Sequence, residues 1–147
     1  MGGFCERLSE QLALVATIDP IDVPGTVAAS DIFSMAMHRR ALFILQTGAT
    51  FVAGTVLIQE GAAVGMTAGT TATILTGAAT AITAVASQYL FEVSAEAMAA
   101  GNSFLRASIA GLTIGDFVSM VVLADVERYH PGSDRNLVTT TISGVAN

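Results

Sequence analysis

Residues 41–58 read ALFILQTGATFVAGTVLI, eighteen positions without a charged side chain. From Ala41 to Phe91 the only charged residue is Glu60. The stretch is rich in β-branched residues and is interrupted by glycines, which favours short buried strands. Acid–base and nucleophilic chemistry need titratable groups held in a cleft. This third of the chain is therefore predicted to be buried structure rather than a catalytic region.

The composition points to a single domain that shares its surface with neighbours. The chain has 147 residues, of which 52% are hydrophobic and 12% are charged. This length suffices for one domain with its own core. Ordinary domains have about 25% charged residues, so we expect a homo-oligomer or a larger assembly to cover much of the surface. A Thr-rich monomer with an uncharged polar surface is the alternative.

The charge pattern argues against nucleic-acid binding. The formal net charge is −6, the chain has no lysine, and Arg39 and Arg40 form the only adjacent basic pair. Phosphate binding needs a basic patch, which this pattern lacks. The single cysteine, Cys5, excludes an internal disulfide and is expected to be a packing residue.

Two uncharged stretches leave a membrane protein open as an alternative. Residues 41–58 follow the Arg39-Arg40 pair, and residues 61–86 are also uncharged, so each is long enough for a spanning helix. Frequent glycine and threonine, the lack of tryptophan and the absence of aromatic belts argue against spanning helices. We therefore predict no membrane partner.

The N-terminal region is predicted to be a short amphipathic helix. Phe4, Leu8, Leu12 and Val15 recur at helical spacing. The helix is expected to end before Pro20, because the residue before a proline avoids the helical conformation. The prediction is an N-terminal helix or arm over residues 1–25 and a single β-sandwich domain over residues 26–147.

The remaining pattern predicts an all-β fold. Alternating or continuous apolar runs predict strands at 34–47, 55–59, 88–93, 104–110 and 117–124, with weaker candidates at 72–75 and 81–85. A single helical turn is expected over residues 94–101. Short strands separated by glycine-containing turns are typical of sandwiches and barrels. We predict an antiparallel β-sandwich, jelly-roll-like, with the short N-terminal helix.

The sequence offers no constellation that predicts catalysis, and we expect no catalytic, cofactor-binding or metal-binding residues. No phosphate-binding loop is present. His38 and His130 are the only histidines, and with one cysteine they do not suggest a zinc site. The dense polar stretch around His130 is interpreted as a turn. We therefore predict that the protein is not an enzyme.

Several segments together resemble a family of small proteins from tailed bacteriophages whose genes lie among the head genes. The resemblance covers the chain in order, although each segment is short. The segments are Phe4-Cys5-Glu6-Arg7-Leu8, Ile18-Asp19-Pro20, Ser34-Met35, Ala41-Leu42-Phe43-Ile44, Ser103-Phe104-Leu105-Arg106-Ala107-Ser108, Val121-Val122-Leu123-Ala124 and Arg128-Tyr129-His130-Pro131-Gly132-Ser133-Asp134. Residues 61–86 depart from the family pattern, because they are Ala/Thr/Gly-rich where a more polar stretch is expected.

The resemblance implies a virion structural protein, namely a head decoration (cement) protein on the capsid exterior. Such proteins resemble small β-sandwiches, often trimeric, that bind the major capsid protein. The alternatives are another virion component, such as a neck or tail protein, or a small membrane protein. Low charge and the lack of catalytic motifs agree with a subunit that acts by contact.

Three segments are predicted to contact partners. They are the N-terminal segment, the edge formed by the Arg39-Arg40 pair within the predicted strand at 34–47, and the turn that follows the last strand. The residues in these segments are Phe4, Leu8, Leu12, Arg39, Arg40, Tyr129 and His130.

Overall fold

The structure, a computed structural model, describes residues 12–22, 27–63, 65–66 and 73–125. These residues form nine β-strands and one short 3-10 helix. The strands are β1 (Leu12–Asp22), β2 (Val27–Ala29), β3 (Phe33–Ser34), β4 (Arg40–Thr47), β5 (Gly54–Gly61), β6 (Thr73–Ile82), β7 (Gln88–Ser94), β8 (Phe104–Ala110) and β9 (Phe117–Asp125), and the 3-10 helix is Ala95–Ala97.

The strands form two antiparallel sheets packed face to face. Sheet A has the order β1-β9-β4-β7, and sheet B has the order β2-β8-β5-β6, with β3 also paired to β8. The chain repeatedly crosses between the sheets, and this order is that of a jelly roll. The predicted antiparallel, jelly-roll-like β-sandwich is confirmed.

The core lies between the sheets and is formed by alternate residues of each strand. In β4, Phe43 and Leu45 are fully buried and face sheet B. The ring of Phe43 lies 6.0 Å from that of Phe33, between ring centroids, in a tilted arrangement. β5 and β8 contribute Val56 and Ile109 from the opposite side. Burying each such side chain stabilises the fold by about 1.5–3 kcal/mol.

β4 is a central strand, as its apolar C-terminal half predicts, but the predicted strand from Ser34 to Thr47 is interrupted. β3 ends at Ser34, and β4 begins only at Arg40. Between them the backbone turns, because the Ser34 hydroxyl accepts a hydrogen bond from Ala36 N and the Met35 carbonyl accepts one from His38 N. A polar side chain that bonds the nearby backbone competes with the sheet ladder and ends the strand.

The predicted N-terminal helix is wrong over residues 12–15, and residues 1–11 lie outside the described residues. Residues 12–22 form β1, which pairs along β9 from Leu12↔Asp125 to Asp22↔Phe117. The segment is therefore a strand of sheet A, not an arm or a loop. Pro20 fits because β1 is an edge strand and the register shifts between Ile18 and Ile21.

The uncharged stretches of the membrane alternative form strands. Residues 41–58 contribute to β4 and β5, and the two weak strand candidates around Gly77 are one continuous strand, β6. No helix in the described part of the chain is long and apolar enough to cross a bilayer. Gly77 does not end the strand, because β6 pairs along β5 on both sides of it, with a register shift between Leu57 and Gln59.

Candidate functional site

The antiparallel strands bring the loops of the sandwich to two opposite ends. One end, the loop end, consists of residues 48–53, 83–87 and 111–116, which join β4 to β5, β6 to β7 and β8 to β9. The other, the terminal end, is where β1 begins at Leu12 and β9 ends at Asp125, next to residues 35–40. The two ends differ in charge and in the side chains they expose.

Backbone hydrogen bonds tie the three loops of the loop end to one another. Gly48 N donates to the Phe117 carbonyl at 2.8 Å, and the Gly48 carbonyl accepts from Ala86 N at 3.1 Å. The Thr50 hydroxyl donates to the Gly115 carbonyl at 2.6 Å. Thr47 Oγ1 accepts a hydrogen bond from Ser87 N at 3.0 Å. The loops therefore hold a defined shape, and a partner does not have to order them on binding.

A buried carboxylate completes the network at the loop end. Asp116 is fully buried, and its Oδ1 accepts a hydrogen bond from Val52 N at 2.9 Å. Its Oδ2 accepts from Thr113 N at 2.7 Å and from the Thr113 hydroxyl at 3.0 Å. Burial alone would raise the pKa of this carboxyl, but these three hydrogen bonds outweigh burial and hold the pKa below its usual value.

The large side chains exposed at the loop end are apolar, and they lie among the exposed threonines Thr50, Thr83 and Thr113. Ile114 is 85% exposed, Val52 is 63% exposed, and Val85 also projects into solvent. Val27 and Phe117 extend this surface, since Val27 pairs with Ala110 at the end of β8 and Phe117 begins β9. Within the three loops the only ionisable residue is Asp116, and both of its carboxylate oxygens already accept hydrogen bonds from the loops. The loop end is thus an uncharged surface with apolar side chains on a fixed backbone.

Gly48 is required where the first loop crosses the start of β9. A Cβ atom at position 48 would lie 2.6 Å from the Cβ atom of Phe117, which is too close for any side chain. We expect Gly48→Ala to lower the free energy of unfolding by about 1–3 kcal/mol, as overpacking does. Chemical denaturation measures this change. Gly65→Ala is the matched control, since nothing lies within 4 Å of its added Cβ; equal effects of the two substitutions would contradict this packing.

The terminal end carries the residues of the predicted contact segments that the structure describes. Leu12 pairs with Asp125, whose Oδ1 accepts hydrogen bonds from Arg39 N at 2.8 Å and Arg40 N at 3.0 Å. His38 Nδ1 also contacts the Asp125 carbonyl. The structure therefore brings Leu12, Arg39 and Arg40 to one end of the sandwich.

The contact role of the terminal end stays a prediction. Phe4, Leu8, Tyr129 and His130 lie outside the described residues. Arg40 pairs with Glu92 at 3.2 Å, but both side chains are mostly exposed, and such surface pairs contribute little to stability.

Polar groups are buried on the outer face of sheet B, the side of β8 that carries Arg106 and Ser108. Both residues are buried. Arg106 Nε donates to Gln59 Oε1 at 2.8 Å, and its Nη1 donates to the Met66 carbonyl at 3.1 Å. Met66 belongs to the connection from β5 to β6 and contacts this face through its carbonyl. Arg106 therefore attaches that connection to the sheet, a structural role that accounts for its burial.

Glu60, the lone charged residue of the middle stretch, is also structural. Its side chain is buried at the end of β5, and Oε2 accepts a hydrogen bond from Ala99 N at 2.8 Å. This bond fixes the connection between the 3-10 helix and β8. Among the described residues no group of three His, Cys, Asp or Glu side chains is arranged to hold a metal ion.

No protein-family model matches the chain, and no curated protein sequence matches it either. The fold and its surfaces therefore define the class: a jelly-roll sandwich with an uncharged apolar end and a charged end. Sequence reasoning missed the loop end. Its signal was present, because Val52 and Ile114 are apolar residues in glycine-flanked turns, GATFVAG and GLTIGD, where polar residues are expected.

Proposed function

We propose that this protein is a non-enzymatic structural component of a virus particle, a head decoration (cement) protein. It binds the lattice of the major capsid protein from the outside and stabilises the shell. The observation that supports this proposal is the loop end, where Val52, Val85 and Ile114 are exposed on loops that are hydrogen-bonded to one another. Exposed apolar patches of this kind mark protein–protein contact sites.

The loop end is suited to burial against another protein. Its one carboxylate, Asp116, already has its hydrogen bonds, so docking does not strip water from an unpaired charge. The fixed loops reduce the ordering cost of association. Jelly rolls occur in viral capsid proteins, lectins and cupins. The fold is therefore compatible with the proposed role, but the fold alone does not distinguish this role from the others.

Repetition explains how a small contact can stabilise a shell. A lattice offers many symmetric sites, and an oligomer that engages several of them gains avidity beyond its single-site affinity. The proposed oligomer is a homotrimer, the form that the resemblance implies. The net charge of −6 suits the capsid exterior better than a surface that touches packaged DNA.

Co-sedimentation with virus particles tests the proposal. The purified protein is mixed with shells of its own virus that lack it, and heads and tails are separated and assayed for the bound protein. The proposal expects saturable binding to heads and a higher temperature of shell disruption when the protein is bound. Binding to necks or tails alone would show that the protein is a neck or tail component instead. Binding to no particle fraction would overturn both virion roles.

A further inference from the structure

The outer face of sheet A, which points away from the core, is apolar at its centre. Cross-strand pairs place Leu90, Ile44, Val121 and Thr17 in one row and Glu92, Leu42, Leu123 and Leu14 in the next. Leu90 is 66% exposed and Val121 is 40% exposed, while the others in the apolar group are half-buried. We call this group the apolar face, and it consists of Leu14, Leu42, Ile44, Leu90, Val121 and Leu123.

The apolar face is not needed for the core. In β4 the core is formed by Ala41, Phe43 and Leu45, whereas Leu42 and Ile44 point to the opposite side. A sheet with one face in water normally alternates apolar and polar residues. β4 and β9 break that alternation where they lie side by side, so their outer face has the composition of a buried surface.

The border of the apolar face makes it suitable for contact with another copy of the same negatively charged chain. On one side lie Arg40 and Glu92, which pair with each other at 3.2 Å. The Asp125 carboxylate nearby accepts two backbone hydrogen bonds. The other side is bordered by neutral Gln46 and Gln88, which are opposite each other in the register, and by the exposed carboxylate Asp19 of β1. Copies that meet through the centre of this face bring no like charges together there, because Arg40, Glu92 and Asp19 all lie at its border.

The area is also sufficient. Four strands at about 4.8 Å spacing and the eight residues of β4 at about 3.4 Å each give a face of about 19 by 27 Å, or about 500 Å² in projection. Side chains corrugate this surface, so its accessible area exceeds the projection. Stable interfaces bury about 800 Å² per partner, so the contact takes in the whole outer face of sheet A, its polar rim included.

We propose that the apolar face of sheet A is the contact between copies of this chain in its homo-oligomer, with the three faces of the homotrimer meeting around their common axis. The inference rests on the oligomer of the proposed function and not on the capsid, which is contacted by a different surface, the loop end. Each copy thus uses two separate surfaces for two different partners.

Sedimentation velocity and light scattering of the purified full-length protein test this inference, over a range of concentrations. We expect wild type to exceed the monomer mass of 15.0 kDa. Leu90→Asp places a charge on the most exposed residue of the apolar face and is expected to weaken self-association at least about 30-fold, as loss of an interface residue that becomes fully desolvated does. Leu90→Thr keeps a strand-forming residue and is expected to have a smaller effect in the same direction.

Val52→Asp is the matched control, because Val52 is similarly exposed but belongs to the loop end. It is expected to keep the wild-type mass. A monomeric wild type, an oligomer unaffected by Leu90→Asp, or equal dissociation of both aspartate variants would overturn the inference. Shell binding is measured separately, so failure of self-association is distinct from failure of the decoration role.

Discussion

Replacing Asp116 with alanine is expected to lower the free energy of unfolding by about 2–3 kcal/mol. The substitution leaves Val52 N and Thr113 N without the acceptor that now joins the first loop to the third. Water reaches the exposed loop residues in part, so the cost stays below the sum for three fully buried donors. Chemical denaturation measures the change, and Asp31→Ala is the control because Asp31 is an exposed carboxylate.

The same substitution is expected to change how stability depends on pH. The pKa of Asp116 is lower in the folded protein than its ordinary value of 3.8, so the unfolded chain takes up a proton first as the pH falls. The stability that the carboxylate supplies is therefore present in full above about pH 4 and is lost as the pH falls through the folded pKa. The difference between wild type and Asp116→Ala should shrink in acid. If the difference in free energy of unfolding between the two proteins stayed constant down to low pH, the ionised carboxylate would not be what joins the loops.

The two-residue spacing of apolar side chains along the sequence was sufficient to predict the strands that pair regularly with their neighbours. β7 and β8 were predicted within one residue of their observed bounds, since Tyr89, Phe91 and Val93 recur at every second position of β7 and Phe104–Ala110 has a regular pattern. The apolar run of residues 117–124 likewise predicted β9. These segments pair in register along their whole length, so local pattern and tertiary structure agree.

The N-terminal strand could not be predicted from local spacing. Leu12 and Val15 fit a helical stripe, yet pairing with β9 makes the segment a strand, with a register shift between Leu14 and Ala16. Such a shift interrupts the two-residue period that identifies a strand in a sequence. Long-range pairing therefore outweighed a local preference.

The burial of Arg106 and the apolar surface of the loop end could not be predicted from local sequence either, because both depend on segments that are distant along the chain. Arg106 alternates with Leu105 and Ala107 along β8, and its Nη1 donates to the carbonyl of Met66, forty residues earlier in the chain. The loop end joins positions from 27 to 117 that are adjacent only after the chain has folded. Its apolar residues, taken singly, resemble scattered surface side chains.

Replacing Ile114 with aspartate is expected to weaken binding to the shell at least about 30-fold, which is the loss typical of a central interface residue. Ile114 is 85% exposed, so the substitution should leave the fold intact. A carboxylate at this position must lose its water when the loop end docks on an apolar surface, and that loss opposes binding. Co-sedimentation over a range of protein concentrations gives the affinity, and thermal unfolding confirms that the variant is folded.

Met37→Asp serves as the control for this substitution. Met37 is an exposed apolar residue in the turn before β4, at the terminal end of the molecule. We expect it to bind shells as wild type does. If Met37→Asp lost binding and Ile114→Asp kept it, the terminal end would be the contact surface, in line with the prediction made from Arg39 and Arg40.

Amide hydrogen exchange of the free and shell-bound protein tests the central claim most directly, because it locates the contact without any substitution. Docking by the loop end predicts slower exchange on binding in residues 48–53, 83–87 and 111–116, and unchanged exchange in residues 36–40. Slower exchange confined to residues 36–40, with the three loops unchanged, would contradict the claim that this protein binds its partner through the loop end.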